Sequence, residues 1–176
     1  MSQLPALSLS IAVLGAIWAY LALGPLSGYV LVWAGFIAWG CYFHTGANTN
    51  ALTKTITGTV YGAIIGWIAL LVIVNVAMPA LGTAWPAIVV GVTVFLLVIV
   101  ASINLLSVVP ANVYGYAAIV AYSLQTPSSP PSTGPLQNLT AVSSANPLIL
   151  LIISLVIGAL FGWASNKLSA VLAKKV

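Results

Sequence analysis

No aspartate, glutamate or arginine occurs anywhere in the 176 residues, and the basic side chains are four lysines and one histidine. A soluble domain of this size keeps roughly a quarter of its residues charged so that its surface can face water. Here 62% of the chain is apolar and mean hydropathy is +1.19, so most of the surface must face lipid. The missing carboxylates also exclude the usual means of coupling transport to protons or sodium, because such carriers place ionisable groups within the membrane. One cysteine, Cys41, excludes an intrachain disulfide, and with a single histidine it cannot supply the three or four protein ligands of a metal centre. No cofactor is expected. The net charge of +4 does not indicate nucleic acid, since the lysines form no basic face interleaved with aromatics.

What the chain does have is long apolar runs. Measured against the roughly 17 to 25 residues needed to cross hydrocarbon, six are expected to be helical spans: Ala6 to Leu23, Tyr29 to Phe43, Thr55 to Ala77, Pro86 to Ile103, Pro110 to Leu124 and Pro147 to Asn166. Gly, Pro, Ser and Asn punctuate them, and the Pro/Ser/Thr-rich segment from Gln125 to Asn146 reads as a loop. The first run lacks a preceding positive region, so it is expected to be a retained span and not a cleaved signal. An even number of spans puts Lys54, Lys167, Lys174 and Lys175 on one side, which the positive-inside rule makes cytoplasmic, with both termini there and the Gln125 to Asn146 loop outside.

The two halves are related. At an offset of 80 residues Gly35, Ala38 and Tyr42 pair with Gly115, Ala118 and Tyr122; at an offset of 96, Gly62-Ala63-Ile64-Ile65-Gly66-Trp67 pairs with Gly158-Ala159-Leu160-Phe161-Gly162-Trp163. The 16 additional residues fall in the outer loop. Three spans per half make such a duplication inverted in the membrane. The expectation is therefore a single all-α, polytopic membrane domain of six helices in two inverted three-helix repeats, about 6–77 and 86–168.

Gly58, Gly62 and Gly66 recur at four-residue spacing in the third span, as do Ser154, Gly158 and Gly162 in the sixth. Small residues at that spacing let helix backbones approach closely in lipid, so both stripes are expected to be packing seams. Spans two and five are the shortest and occupy equivalent positions, the pattern that points to a transport site in repeat-built membrane proteins. Phe36, Trp39 and Phe43 share a helical face in span two. With His44, Tyr116 and Tyr122 they are the expected pore-lining residues, Phe36 and Tyr116 meeting at one constriction. Cys41 and His44, three residues apart, lack the orienting acid that a thiolate nucleophile requires, so no enzyme is expected.

Val32-Trp33-Ala34-Gly35-Phe36 with Tyr42-Phe43, Leu106-Ser107-Val108-Val109-Pro110 leading to Tyr114-Gly115, and Gly158 to Trp163 resemble the YcdZ-type family of small bacterial inner-membrane proteins. The resemblance covers most of the chain and implies a prokaryotic inner-membrane location without implying a substrate. The polar run after His44, the longer outer loop and the absence of a charged tail depart from that family's pattern. The functional expectation is a passive channel or facilitator for a small neutral solute, urea or a short amide, acting as a homo-oligomer in the bilayer; the alternative is a non-transporting accessory or scaffold subunit.

Overall fold

The computed structural model describes residues 2–126 and 133–173; Ser132, Lys174 and Lys175, with part of the loop from Gln125 to Asn146, lie outside that range. Among the described residues the fold is all helical: α1 Gln3–Leu23, α2 Val32–His44, α3 Thr49–Asn75, α4 Ala84–Ile99, α5 Val109–Gln125 and α6 Pro147–Ala173, with short 3-10 turns between them. Local chemistry sets the ends. Gly24 and Pro25 stop α1; the side chain of Asn48 caps α3 by accepting from the Ala51 N–H at 2.8 Å, after a turn in which Gly46 and Ala47 take positive φ. Pro110 opens α5, where its missing N–H costs nothing, and Asn146 caps α6 by accepting from the Leu148 N–H at 2.9 Å.

Among the described residues four stretches are long and apolar enough to cross a membrane: Gln3–Leu23, Thr49–Asn75, Ala84–Ser102 and Pro147–Ala173. The 13 residues of α2 and 17 of α5 fall short, because at about 1.5 Å per residue they do not reach the ~30 Å of a hydrocarbon core. Large apolar side chains lie open along α4, from Ile88 through Val92, Phe95 and Ile99, and α1 exposes Leu9, Val13 and Ile17. Such faces suit hydrocarbon, and the chain is a membrane protein.

The helices pair across the two halves of the chain. α2 packs chiefly on α6 and α5 on α3, while α1 lies along α6 and α4 along α3. The small-residue stripes make these crossings. A Cβ on Gly62 would overlap the carbonyl oxygen of Asn112, and one on Gly115 the carbonyl oxygen of Thr59. One on Gly58 would stand 2.7 Å from the Ala111 Cβ, and one on Gly66 2.5 Å from Ile119 Cγ2. On the other crossing, Gly158 lies on the backbone of Gly35 and Gly162 against Trp39 and Tyr42. Ser154 Oγ accepts the Leu31 N–H at 2.8 Å, giving a partner to a donor that α2 leaves free at its start.

The ends of the bundle differ in chemistry. Asn166 Nδ2 donates to the Ala47 carbonyl at 2.7 Å and to Tyr42 Oη at 3.1 Å, which brings the last turns of α6 beside the start of α3. Lys54 and Lys167 thus lie at one end; Lys54 Nζ donates to Ser107 Oγ at 3.0 Å, holding the α4–α5 connection there. At the other end Leu136 and Leu139 turn inward, and Trp67 Nε1 donates to the Leu139 carbonyl at 2.8 Å.

Candidate functional site

Because α2 is committed to α6 and α5 to α3, the two short helices meet only along their edges and leave a groove of about 520 Å³ between them. They run antiparallel. The rings of His44 and Tyr114 stand edge-on at 6.2 Å where α2 ends and α5 begins, and those of Trp33 and Tyr122 lie 6.1 Å apart at the opposite end. Between these mouths the walls come from Trp33, Phe36, Ile37, Gly40, Cys41 and His44 on α2 and from Tyr114, Ala117, Ala118 and Ala121 on α5. Each set recurs at three- and four-residue intervals, as a single helical face must. Width follows from side-chain size: Gly40 and three alanines line the middle, where larger residues would let the helices touch.

Polar atoms are few and sit toward the ends. The Cys41 Sγ is 3.9 Å from Thr45 Oγ1, which also donates to the Cys41 carbonyl at 2.8 Å, while Thr55 Oγ1 lies 3.5 Å from Thr45 Oγ1. The Tyr114 ring and the His44 imidazole complete that mouth. The middle is apolar.

The residues expected to line a pore divide among three environments. Phe36 stands at the groove's edge, 43% exposed, with its ring stacked on Trp39 at 5.6 Å. His44 and Tyr122 stand at the two ends. Trp39 faces away: it is buried, donates from Nε1 to Ser165 Oγ at 3.1 Å and packs against Phe161. Phe43 joins the same cluster around Trp18 and Trp39. Tyr116 is buried beneath α4, its hydroxyl 3.0 Å from Thr93 Oγ1, and does not meet Phe36. The reason is rotational. At 3.6 residues per turn, the face of Ile37, Gly40 and His44 lies roughly a third of a turn from that of Trp39 and Phe43, with Phe36 at the margin between them, and Tyr114 points nearly opposite to Tyr116. The signal that would have found the groove was the set of small residues, Gly40 on one short helix and Ala117, Ala118 and Ala121 on the other.

The stripe residues Gly58, Gly62, Gly66, Ser154, Gly158 and Gly162 lie in the α3–α5 and α2–α6 crossings and line none of the groove.

Fold and groove together define a polytopic all-α membrane protein with an open, aromatic-ended furrow between two short helices. Residues 8–170 match the model of a family described as "Protein of unknown function (DUF1097)", and the chain belongs to that family. No curated protein and no solved structure matches the chain.

Proposed function

We propose that this protein is a passive facilitator, with no enzymatic step, for a small neutral solute of the short-amide or urea class, and that the groove between α2 and α5 is its path. The observation that supports the reading is the groove itself, about 520 Å³ running from the His44–Tyr114 contact to the Trp33–Tyr122 contact. A cation would find no counter-charge there, since the chain has no Asp or Glu, and none of its lysines lines the groove to receive an anion. A neutral one could exchange hydrogen bonds with water for those of the imidazole and phenol at one mouth and the indole at the other, then cross a short apolar stretch. The apolar middle favours a short amide over urea.

The groove is open along one side, where Trp33 and Phe36 are 37% and 43% exposed. The proposal therefore includes a homo-oligomer in which a second copy closes that side. It also includes six spans, in two repeats inverted in the membrane. Support comes from the crossings: Leu31 with Ser154 and Trp39 with Gly162 correspond, at the 80- and 96-residue offsets, to Ala111 with Gly58 and Ile119 with Gly66, while Gly35 lies on Gly158 and their counterparts Gly115 and Gly62 lie in the α3–α5 crossing, on Thr59 and Asn112. The clustering of Lys54 and Lys167 at one end supports cytoplasmic termini, and the resemblance to YcdZ-type proteins supports the bacterial inner membrane.

The open side favours a second reading, a scaffold or accessory subunit whose groove is filled by another protein. Light scattering on proteoliposomes challenged with a panel of small solutes separates the two. Faster volume recovery for neutral solutes in protein-containing vesicles supports the path; equal rates with and without protein for every solute leave only the accessory role.

A further inference from the structure

A second cavity, of about 300 Å³, lies on the other side of α5, enclosed by α3, α4 and the inward turn of the outer loop. Its origin is the narrow seat of α4. That helix buries only Val89, Thr93 and Leu97, one row at four-residue spacing, so space remains beside the row. Leu70 and Ile73 of α3, Val90 of α4, and Val120 and Leu124 of α5 form walls of carbon, and Leu136 closes the end nearest the loop. The Tyr116 hydroxyl, the one polar side-chain group near its base, is already paired with Thr93.

Volume and chemistry exclude water as the natural filling. An apolar cavity of ~150 Å³ in a soluble protein stays dry and binds benzene, and this one is about twice that size with no polar partner to offer. Left empty, its walls forfeit dispersion contacts. The mouth decides what enters. Val74, Val90 and Leu124 at the rim are 53%, 38% and 57% exposed and continue the apolar face that α4 presents to hydrocarbon, whereas Leu136 shuts off the loop side. Entry is thus lateral, from the membrane.

We propose that this cavity is a binding site for one acyl chain of a bilayer phospholipid, taken from the leaflet at the 135–146 end of the bundle. The chain fills the space beside the seat of α4 and fastens that helix to α3 and α5. The site is separate from the α2–α5 groove and stands whether or not the groove conducts.

The test uses full-length protein in phosphatidylcholine vesicles containing a lipid with a diazirine halfway along one acyl chain. After illumination, cross-linked peptides are mapped by mass spectrometry. Adducts are expected at Ile73, Val90 and Val120 several-fold above those at Val92 and Phe95, which face open lipid. They should fall several-fold in Val90→Trp and in Val120→Phe, each of which fills the cavity from a different wall, so that one variant suffices if the other does not fold. Labelling spread equally over Val90, Val92 and Phe95, or undiminished in whichever filled variants fold, would overturn the proposal.

Discussion

Gly158 lies directly on Gly35: a Cβ at position 158 would overlap the Gly35 carbonyl oxygen. That contact fixes α2 against α6 at backbone distance, as Gly62 fixes α5 against α3, and between them the two crossings hold the groove open. Helices in lipid gain little from burying apolar surface against one another, so close backbone approach and the dispersion it permits must hold the bundle together. Stability and the groove can therefore be perturbed at different residues.

Stability should respond at the crossings. Gly62→Ala and Gly158→Ala each force a helix pair apart and are expected to cost about 1 to 3 kcal/mol, the usual penalty for overpacking. Thermal unfolding in detergent measures it. A melting temperature unchanged in both variants would show that neither crossing holds the bundle.

Gly40 offers the opposite case, since a Cβ there meets nothing within 4 Å. Gly40→Leu is expected to fill the groove and depress solute flux in proteoliposomes while thermal stability stays close to wild type. Undiminished flux would remove the groove as the path.

Tyr116→Phe deletes the hydroxyl that meets Thr93 Oγ1 at 3.0 Å. In a membrane protein such a bond averages about 0.6 kcal/mol, so a small loss of thermal stability is expected. Flux should not change, because this side chain is turned from the groove. A large fall in flux at wild-type stability would place Tyr116 on the path after all.

The proposed topology is testable in a Cys41→Ala background, where Ser144→Cys, on the exposed part of the α5–α6 loop, should react with a membrane-impermeant maleimide in intact spheroplasts. Thr53→Cys, exposed one residue before Lys54, should react only after the membrane is breached. The reverse pattern would overturn the proposed orientation.

The helices were largely legible because lipid imposes a coarse rule, that backbone groups must be paired within each segment, and this turns hydropathy into helices directly. The boundaries moved at polar ends. α3 begins at Thr49, six residues before the apolar run, because Asn48 caps it, and α6 continues to Ala173 past Asn166, whose side chain is occupied by Tyr42 and Ala47. The four-residue spacing of glycines likewise announced a seam, though not which helix would fill it.

The groove's lining was less legible. Aromatic content drew attention to Phe36, Trp39 and Phe43, yet a large ring in a short helix can serve a core as readily as a cavity, and Trp39 is held in the core by Ser165, distant in sequence. Nothing in the spacing of residues within α2 states which of its faces will be taken by α6.

By itself the sequence determined the solvent, through the absence of carboxylates and arginine, and with it the helical class and the approximate places of the helices. Tertiary structure decided the pairing of α2 with α6 and α5 with α3, and hence the rotation of each short helix about its own axis. That rotation puts Tyr114 in the groove and Tyr116 under α4, although a single residue separates them. Periodicity describes a helix relative to itself, whereas the facing surface is chosen by partners whose glycines permit the closest approach.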